Sequence, residues 1–184
     1  MGSQKTKIGV IGGSKKIDNP KLLNNLKKIG ESINIKKNKI QYGGGSMGMM
    51  SIVPKAFYES RGEVLGINWQ YFKERDTISE IIGKEILFDE FRDRQHHLIE
   101  TSDIFLCLPG GIGTLSEVCD ILIKNSGHIW ENPKKLIIYN FENFYDPLEK
   151  QINNFINFEL LHFPEELNVH FVENVDDIIK LINQ

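Results

Sequence analysis

The 184-residue length favours one domain with a sizeable core, and a composition of 40% hydrophobic and 26% charged residues is typical of soluble globular proteins. The net charge of −3 gives no reason to expect a nucleic acid partner. No apolar run approaches the ~20 residues of a membrane span, and no secretory leader is visible, so we expect a cytoplasmic protein without membrane binding. We expect one domain over residues 1–184, with residues 1–6 disordered or tag-derived.

Strands and helices are predicted to alternate along the chain. Helices are expected after the Asn19 cap and Pro20, over 49–60 and 90–101, from Thr114 onward, and over 145–155 and 176–182. Strands are expected at 7–11, 40–42, 63–67, 85–88, 104–108, 135–139 and 169–172. Repeated βα units predict an α/β, Rossmann-like three-layer fold, with a mostly parallel twisted sheet and helices on both faces. Cys107 and Cys119 then fall in a strand and a helix, which indicates buried free thiols in a reducing compartment.

The most informative stretch runs from residue 104 to residue 123. Residues 104–108 form a continuous apolar run, the pattern of a strand buried on both faces of a sheet, and Pro109 ends it. Three glycines follow before Thr114 opens an amphipathic helix, and they are Gly110, Gly111 and Gly113. Free backbone N–H groups and the positive end of a helix dipole make such a turn a ready phosphate site.

A plainer interpretation is that Thr114 and Glu117 form a capping box and the glycines only make a tight turn. Three glycines in four positions weaken that interpretation, because they let a ligand approach the backbone closely. Two further glycine-bearing turns follow the strands that end at residues 11 and 42. The first contains Ser14 and the second contains Gly44 and Gly45. Ligands of parallel sheets lie beyond the carboxyl ends of the strands, so neighbouring turns would converge on one pocket.

The second turn also fits a dinucleotide fingerprint, with Gly43, Gly45 and Gly48 at the required spacing and Glu63 twenty residues after Gly43. The ribose-binding acid of that fingerprint belongs at the carboxyl end of the next strand, whereas Glu63 begins its strand. The first turn lacks the fingerprint. We therefore expect neither a nicotinamide nor a flavin cofactor, and no cofactor of another kind.

The predicted helix over 90–101 places Phe91, Arg94, Gln95 and Leu98 on one face. If Phe91 and Leu98 make that face the buried one, Arg94 points inward, where it needs an anion. That anion is either a structural partner such as Asp89 or Asp103, or a phosphate or catalytic carboxylate in the pocket.

Three blocks of the chain resemble the LOG (Lonely Guy) family, whose members are cytokinin riboside 5′-monophosphate phosphoribohydrolases. Residues 109–117 match every fixed position of the family motif PGGxGTxxE. The second glycine block resembles the family's GGxxGLMG, with Met49 in place of the leucine, and residues 8–14 resemble its opening strand and turn. Residues 91–95 resemble its MHxRK block, in which Arg94 matches but Phe91, Arg92 and Gln95 replace the methionine, histidine and lysine.

The resemblance implies a nucleotide-binding domain that forms a homodimer with active sites at the interface. It implies hydrolysis of the N-glycosidic bond of AMP or an N6-substituted AMP, a cytokinin riboside monophosphate, giving free base and ribose 5-phosphate. We assign catalytic roles to Arg94 and Glu117. We expect the substrate to be bound by Ser14, Gly44, Gly45, Asp76, Gln95, Gly110, Gly111, Ile112, Gly113 and Thr114. No cluster has metal-ligand spacing, so no metal is expected.

In this hypothesis the phosphate rests on the glycine turn and Glu117 lies beside the ribose, where a carboxylate stabilises an oxocarbenium-like transition state or orients water. Arg94 keeps its proton, so it holds an anion or polarises the leaving base. Asp120 is a supporting carboxylate. Water or Asp76, in the 68–77 loop, could protonate the base, and aromatic residues of that loop could stack on it or pack in the core, namely Trp69, Tyr71 and Phe72.

The loss of the family lysine at Gln95 removes a cation that would contact substrate. This leaves a second hypothesis open, a non-catalytic nucleotide or cofactor carrier of the same fold.

Overall fold

The computed structural model describes residues 4–46, 48–74 and 81–184. Its sheet has seven parallel strands in the order β4-β3-β2-β1-β5-β6-β7. The strands are β1 (Thr6–Ile11), β2 (Asn38–Tyr42), β3 (Val64–Trp69), β4 (Lys84–Phe88), β5 (Ile104–Cys107), β6 (Lys135–Tyr139) and β7 (Val169–Val172). This confirms the predicted three-layer α/β fold.

Helices connect the strands and cover both faces of the sheet. They are α1 (Pro20–Ser32), α2 (Ile52–Glu59), α3 (Gln70–Glu74), α4 (Phe91–Thr101), α5 (Ile112–Ser126), α6 (Asp146–Asn157) and α7 (Val175–Asn183). α1 begins as the sequence predicts, with Pro20 at its first position and the Asn19 side chain accepting a hydrogen bond from the Leu22 amide at 3.0 Å.

The strand β1 is the centre of the sheet. Ile8 pairs with Ile40 of β2 on one side and with Ile104 of β5 on the other. Strand order reverses direction at β1, so the loops after β1 and β5 diverge and leave a crevice at their carboxyl ends.

Two apolar clusters pack the two faces. One contains the β1 residues Ile8 and Val10 with α1, α2 and α7, and the other contains Ile11 with α4 and α5. The central strands β1, β5 and β6 are therefore buried on both sides, which explains the continuous apolar runs from which they were predicted, whereas the edge strand β4 is partly exposed.

Several expectations are wrong in detail. α5 begins at Ile112, two residues before the predicted start, and the short α3 was not predicted. Cys107 is buried, but Cys119 is exposed on α5. Thr6 belongs to β1 and Lys5 forms an ion pair with Glu63, so these two residues of the segment expected to be disordered or tag-derived are ordered.

Phe91 is also exposed, with 41% of its surface accessible, although Leu98 and Arg94 on the same helix are buried. Within residues 4–46, 48–74 and 81–184, no helix is long and apolar enough to cross a bilayer.

Candidate active site

A cavity of about 540 Å³ opens at the carboxyl ends of β1 and β5. Its polar wall is formed by the turn after β1, the glycine turn after β5 and the start of α5. Its remaining wall is largely apolar. The lining residues predicted from the sequence are Ser14, Arg94, Gly110, Gly111, Ile112, Gly113, Thr114 and Glu117.

The turn after β5 is fixed to the turn after β1 by backbone hydrogen bonds. The Leu108 amide donates to the Ile11 carbonyl at 2.9 Å, and the Gly13 amide donates to the Pro109 carbonyl at 3.1 Å. The Met50 amide in turn donates to the Gly13 carbonyl at 3.1 Å. All three predicted turns therefore meet at this edge, because β2, β1 and β5 are neighbours in the sheet.

The glycines after β5 differ in what surrounds them. A methyl group on Gly110 would lie 2.2 Å from the Thr114 hydroxyl, so glycine is required there for packing. Methyl groups on Gly111 and Gly113 would meet nothing within 4 Å, because both face open space. A ligand can thus approach the backbone at these two positions.

The start of α5 excludes the capping-box interpretation. The helix begins at Ile112 and its N-cap is Gly111, which has no side chain, whereas Thr114 lies inside the first turn with 5% of its surface accessible. The first amides of a helix have no partner within the helix, so those of α5 are left without a side-chain cap. Together with the helix dipole they favour an anion at this end.

Arg94 reaches the cavity from α4 and only 7% of its surface is accessible. Its Nε donates to the Ile67 carbonyl of β3 at 3.0 Å, and its Nη1 lies 3.5 Å from Oε1 of Glu117. The alternative partners proposed from the sequence, Asp89 and Asp103, are therefore wrong. Asp103 instead accepts a hydrogen bond from the Lys7 amide at 2.8 Å.

The two side chains perturb each other and are both desolvated. Burial raises the pKa of the Glu117 carboxyl, and the neighbouring Arg94 guanidinium only partly opposes this rise. Burial also lowers the pKa of Arg94, with Glu117 opposing the change. A largely desolvated carboxyl with a raised pKa that lines a cavity is typical of a catalytic base.

Three other predicted binding residues do not line this cavity. Gln95 lies beside Arg94 on α4, half-buried, and Gly44 and Gly45 are buried within the second turn. Asp76 lies outside the described residues.

Two other acidic residues discussed from the sequence do not line the cavity either. Asp120 is on α5, with its Oδ1 3.9 Å from Nζ of Lys124. Glu63 precedes β3, at the opposite edge of the sheet.

Several residues that line the cavity were not identified from the sequence. No motif singled them out, and they are Lys15, Ile17, Met50 and Phe144. Of the three loop aromatics, Phe72 lines the cavity, whereas Trp69 stacks on Tyr71 with ring centroids 4.5 Å apart. Across the described ranges, no group of three His, Cys, Asp or Glu side chains could hold a metal ion.

Comparisons with known proteins show the family of the chain and structures of similar fold. A family model described as possible lysine decarboxylase matches residues 50–182. The cytokinin riboside 5′-monophosphate phosphoribohydrolase LOG5 of Arabidopsis thaliana is 34% identical over 107 residues, which are 58% of this chain and 46% of that protein. The chain spans about half the length of the curated relatives it matches.

Solved structures of similar fold include the molybdenum cofactor carrier protein of Chlamydomonas reinhardtii, with a TM-score of 0.68, 20% identity and coverage of 97% of this chain and 96% of that one. The molybdenum cofactor binding protein of Rippkaea orientalis gives a TM-score of 0.69 at 21% identity, with coverage of 97% and 96%. These two establish the fold only. The family match, together with the curated relatives at 27–34% identity, shows that the chain belongs to the LOG family, whose family model carries the description possible lysine decarboxylase.

Proposed function

We propose that this protein hydrolyses the N-glycosidic bond of a nucleoside 5′-monophosphate, AMP or an N6-substituted AMP, to free base and ribose 5-phosphate. The observation that carries the proposal is the ion pair between Nη1 of the buried Arg94 and Oε1 of Glu117, 3.5 Å apart beside open glycine amides. The curated relatives named as phosphoribohydrolases support the same reaction class.

Each part of the cavity has a task in this reaction. The phosphate binds at the amides of the α5 N-terminus and the exposed backbone of Gly111 and Gly113. Glu117 lies one turn further along α5, so its carboxylate is placed beside the ribose. There the carboxylate orients a water molecule and accepts a proton from it, while the water oxygen bonds to C1′.

The bond from C1′ to the base nitrogen breaks as the sugar acquires oxocarbenium character, and its electron pair leaves with the base. The carboxylate of Glu117 also stabilises that developing positive charge. Arg94 holds Glu117 through Nη1 and is itself held by the Ile67 carbonyl, so the carboxylate stays aimed at the cavity. Water or Asp76 supplies a proton to the departing base.

Incubation with AMP followed by chromatography for adenine and ribose 5-phosphate tests the proposal. Glu117→Gln keeps the side-chain volume and should lower kcat by at least about 100-fold, the range for loss of a general base. Asp120→Asn is the matched control, because Asp120 lies on the same helix but outside the cavity lining. It should retain nearly full activity.

Equal loss in both variants would trace the effect to α5 stability, and no adenine from the unmodified protein would reject the reaction for AMP. The same assay with an N6-substituted AMP then shows whether the apolar wall accommodates a larger base. Release of a free cytokinin from that substrate would support a role in cytokinin formation.

A carrier function is the second candidate, and the replacement of the family lysine by Gln95 favours it. The solved structures titled molybdenum cofactor carrier and binding proteins show that such a function exists on a similar fold. A carrier would bind AMP or another phosphorylated ligand tightly and release no base. Gln95→Lys tests the missing cation directly, and tighter AMP binding would indicate that its loss weakens the site.

We further propose a homodimer with the cavity near the interface. Apolar side chains surround the cavity mouth, and Ile112, Phe91 and Phe72 have 82%, 41% and 40% of their surfaces accessible. Leu115 extends this patch along α5. Light scattering should give the mass of two chains, and Leu115→Glu should give the mass of one.

We also propose a cytoplasmic location. The buried Cys107 and the exposed Cys119 are both free thiols, as is usual in a reducing compartment. A fluorescent fusion observed in the source cell tests this location.

A further inference from the structure

The chain makes an unusual turn between β6 and α6, directly behind the cavity. Glu142 and Asn143 are consecutive non-glycine residues with φ values of 50° and 64°, in the left-handed region that such residues seldom occupy. Backbone strain of this kind persists only where surrounding contacts enforce it, and it is often found at functional sites. The turn ends at Phe144, which lines the cavity, and Tyr145, which is buried and does not line it.

Asn140 holds the two ends of this turn together. Its Oδ1 accepts a hydrogen bond from the Tyr145 amide at 2.7 Å, and its Nδ2 donates to Asp146 at 2.8 Å. Asn140 is itself 3% exposed. The backbone of Tyr145 is therefore held by Asn140, which directly follows β6.

The hydroxyl of Tyr145 contacts the strand and loop that lead into the glycine turn. It donates to the Leu108 carbonyl at 2.8 Å and lies 3.5 Å from the Sγ atom of Cys107. Burial raises its pKa far above the ordinary value, so the hydroxyl stays protonated and donates to the Leu108 carbonyl.

These contacts restrain the glycine turn from a second side. On the β1 side the turn is bonded at the Leu108 amide and the Pro109 carbonyl. Pro109 has no N–H, so the peptide between residues 108 and 109 offers only its carbonyl for anchoring. Rotation of that peptide would redirect the amides that follow, and Tyr145 holds its oxygen in place.

We infer that Tyr145 is a positioning residue, whose hydroxyl fixes the glycine turn so that its free amides face the phosphate of the ligand. The inference rests on the proposed function only in taking the anionic group to be a phosphate. It predicts that loss of the hydroxyl weakens binding of phosphorylated ligands and spares ligands without a phosphate.

The test compares Tyr145→Phe with Tyr139→Phe by calorimetric titration with AMP, ribose 5-phosphate and adenosine. Tyr139 is the matched control, because it is fully buried at the end of β6 and its hydroxyl accepts a hydrogen bond from Asn25, away from the turn. Tyr145→Phe should weaken AMP and ribose 5-phosphate about tenfold and leave adenosine unchanged. With AMP as substrate, KM should rise with little change in kcat. Tyr139→Phe should change none of these values.

Hydrogen exchange of the ligand-free protein gives a second readout. Peptides covering residues 105–116 should exchange faster in Tyr145→Phe, and not in Tyr139→Phe. Two results would overturn the inference: equal affinities of the two variants for AMP and ribose 5-phosphate, or a loss of adenosine affinity in Tyr145→Phe as large as the loss of AMP affinity.

The outcomes also separate this inference from the proposed function. Tyr145-dependent binding of ribose 5-phosphate without adenine release would support the positioning role and reject hydrolysis of AMP. Hydrolysis of AMP that is unaffected in Tyr145→Phe would support the proposed function and reject the positioning role. Absence of binding to either phosphorylated ligand in the unmodified protein would reject both.

Discussion

Two glycine turns in this protein look alike in the sequence and differ in space. In the turn after β2 the glycines are crowded, since a methyl group on Gly43 would lie 1.9 Å from Nη2 of Arg94 and one on Gly44 would lie 1.6 Å from Oδ1 of Asn68. In the turn after β5, methyl groups on Gly111 and Gly113 would meet open space. The turn after β2 makes room for protein atoms, and the turn after β5 leaves its backbone open to solvent.

This difference shows that glycine content does not identify a binding loop. The turn after β2 matches a nucleotide fingerprint, yet its glycines serve the packing of Arg94 and Asn68. The turn after β5 supplies backbone that a ligand can reach. Substitution by alanine distinguishes the two roles, because one methyl group disturbs packing in the first turn and ligand contact in the second.

The largest effect is expected for Gly44→Ala. Gly44 has φ of 75°, and the added methyl group would overlap the Asn68 side chain, so the free energy of unfolding should fall by about 3 kcal/mol. Urea denaturation measures it. Gly66→Ala in β3 is the control, because its methyl group would make only ordinary contacts of 3.4 Å or more. Similar losses in both would contradict the crowding argument.

Gly43→Ala should act on chemistry more than on folding. The methyl group would displace the end of the Arg94 side chain, which can move, and so release Glu117 from its partner. We expect kcat for AMP to fall about 100-fold, comparable to loss of one oriented donor. In a double-mutant cycle, Gly43→Ala should add little to Arg94→Ala, and additive losses would show that Gly43 acts through another residue.

Gly113→Ala should separate stability from binding. Gly113 lies in the first turn of α5, so alanine should raise the free energy of unfolding by about 0.5 kcal/mol. Its methyl group would enter the space assigned to the phosphate and weaken AMP binding about tenfold. Ser116→Ala, exposed on the same helix and outside the cavity lining, should leave AMP binding unchanged. Unaltered AMP affinity in Gly113→Ala would place the phosphate elsewhere.

The smallest effect is a displacement of the acid limb of the pH profile. Burial raises the pKa of Glu117 above its ordinary value of 4.5, and the proposed reaction needs the carboxylate. Activity should therefore fall with decreasing pH around a midpoint above 4.5 and be constant above it. Rates measured from roughly pH 4 to pH 8 locate that midpoint. Asp120→Asn should not move it, whereas a midpoint at or below 4.5 would remove Glu117 from the role of base.

Most of the fold could be predicted from the sequence because buried parallel strands leave continuous apolar runs. All seven strands were predicted, and both β6 and β7 have the expected bounds. The early start of α5 was missed because Ile112 and Gly113 form helices poorly and Ile112 is 82% exposed. α3 has five residues and no buried side chain, so it carries no periodic signal.

The site could be predicted only in part. Motif matches identified Arg94 and Glu117 separately, but their pairing depends on α4 and α5 meeting across β5. The sequence left open whether Arg94 meets Asp89 or Asp103, or a phosphate or carboxylate in the pocket, and its partner is the Glu117 carboxylate. Phe144 and Tyr145 belong to no sequence motif. Their placement follows from the left-handed backbone of Glu142 and Asn143, which the residue types do not predict.

Arg94 and Glu117 belong to one continuous α4–β5–α5 segment, whereas part of the apolar wall comes from elsewhere in the chain, including Ile17, Phe72 and Phe144. Arg94 and Glu117 can therefore be inherited as a unit while those other parts of the wall vary. Under the proposed function, such variation would change which bases the cavity accepts without changing that pair.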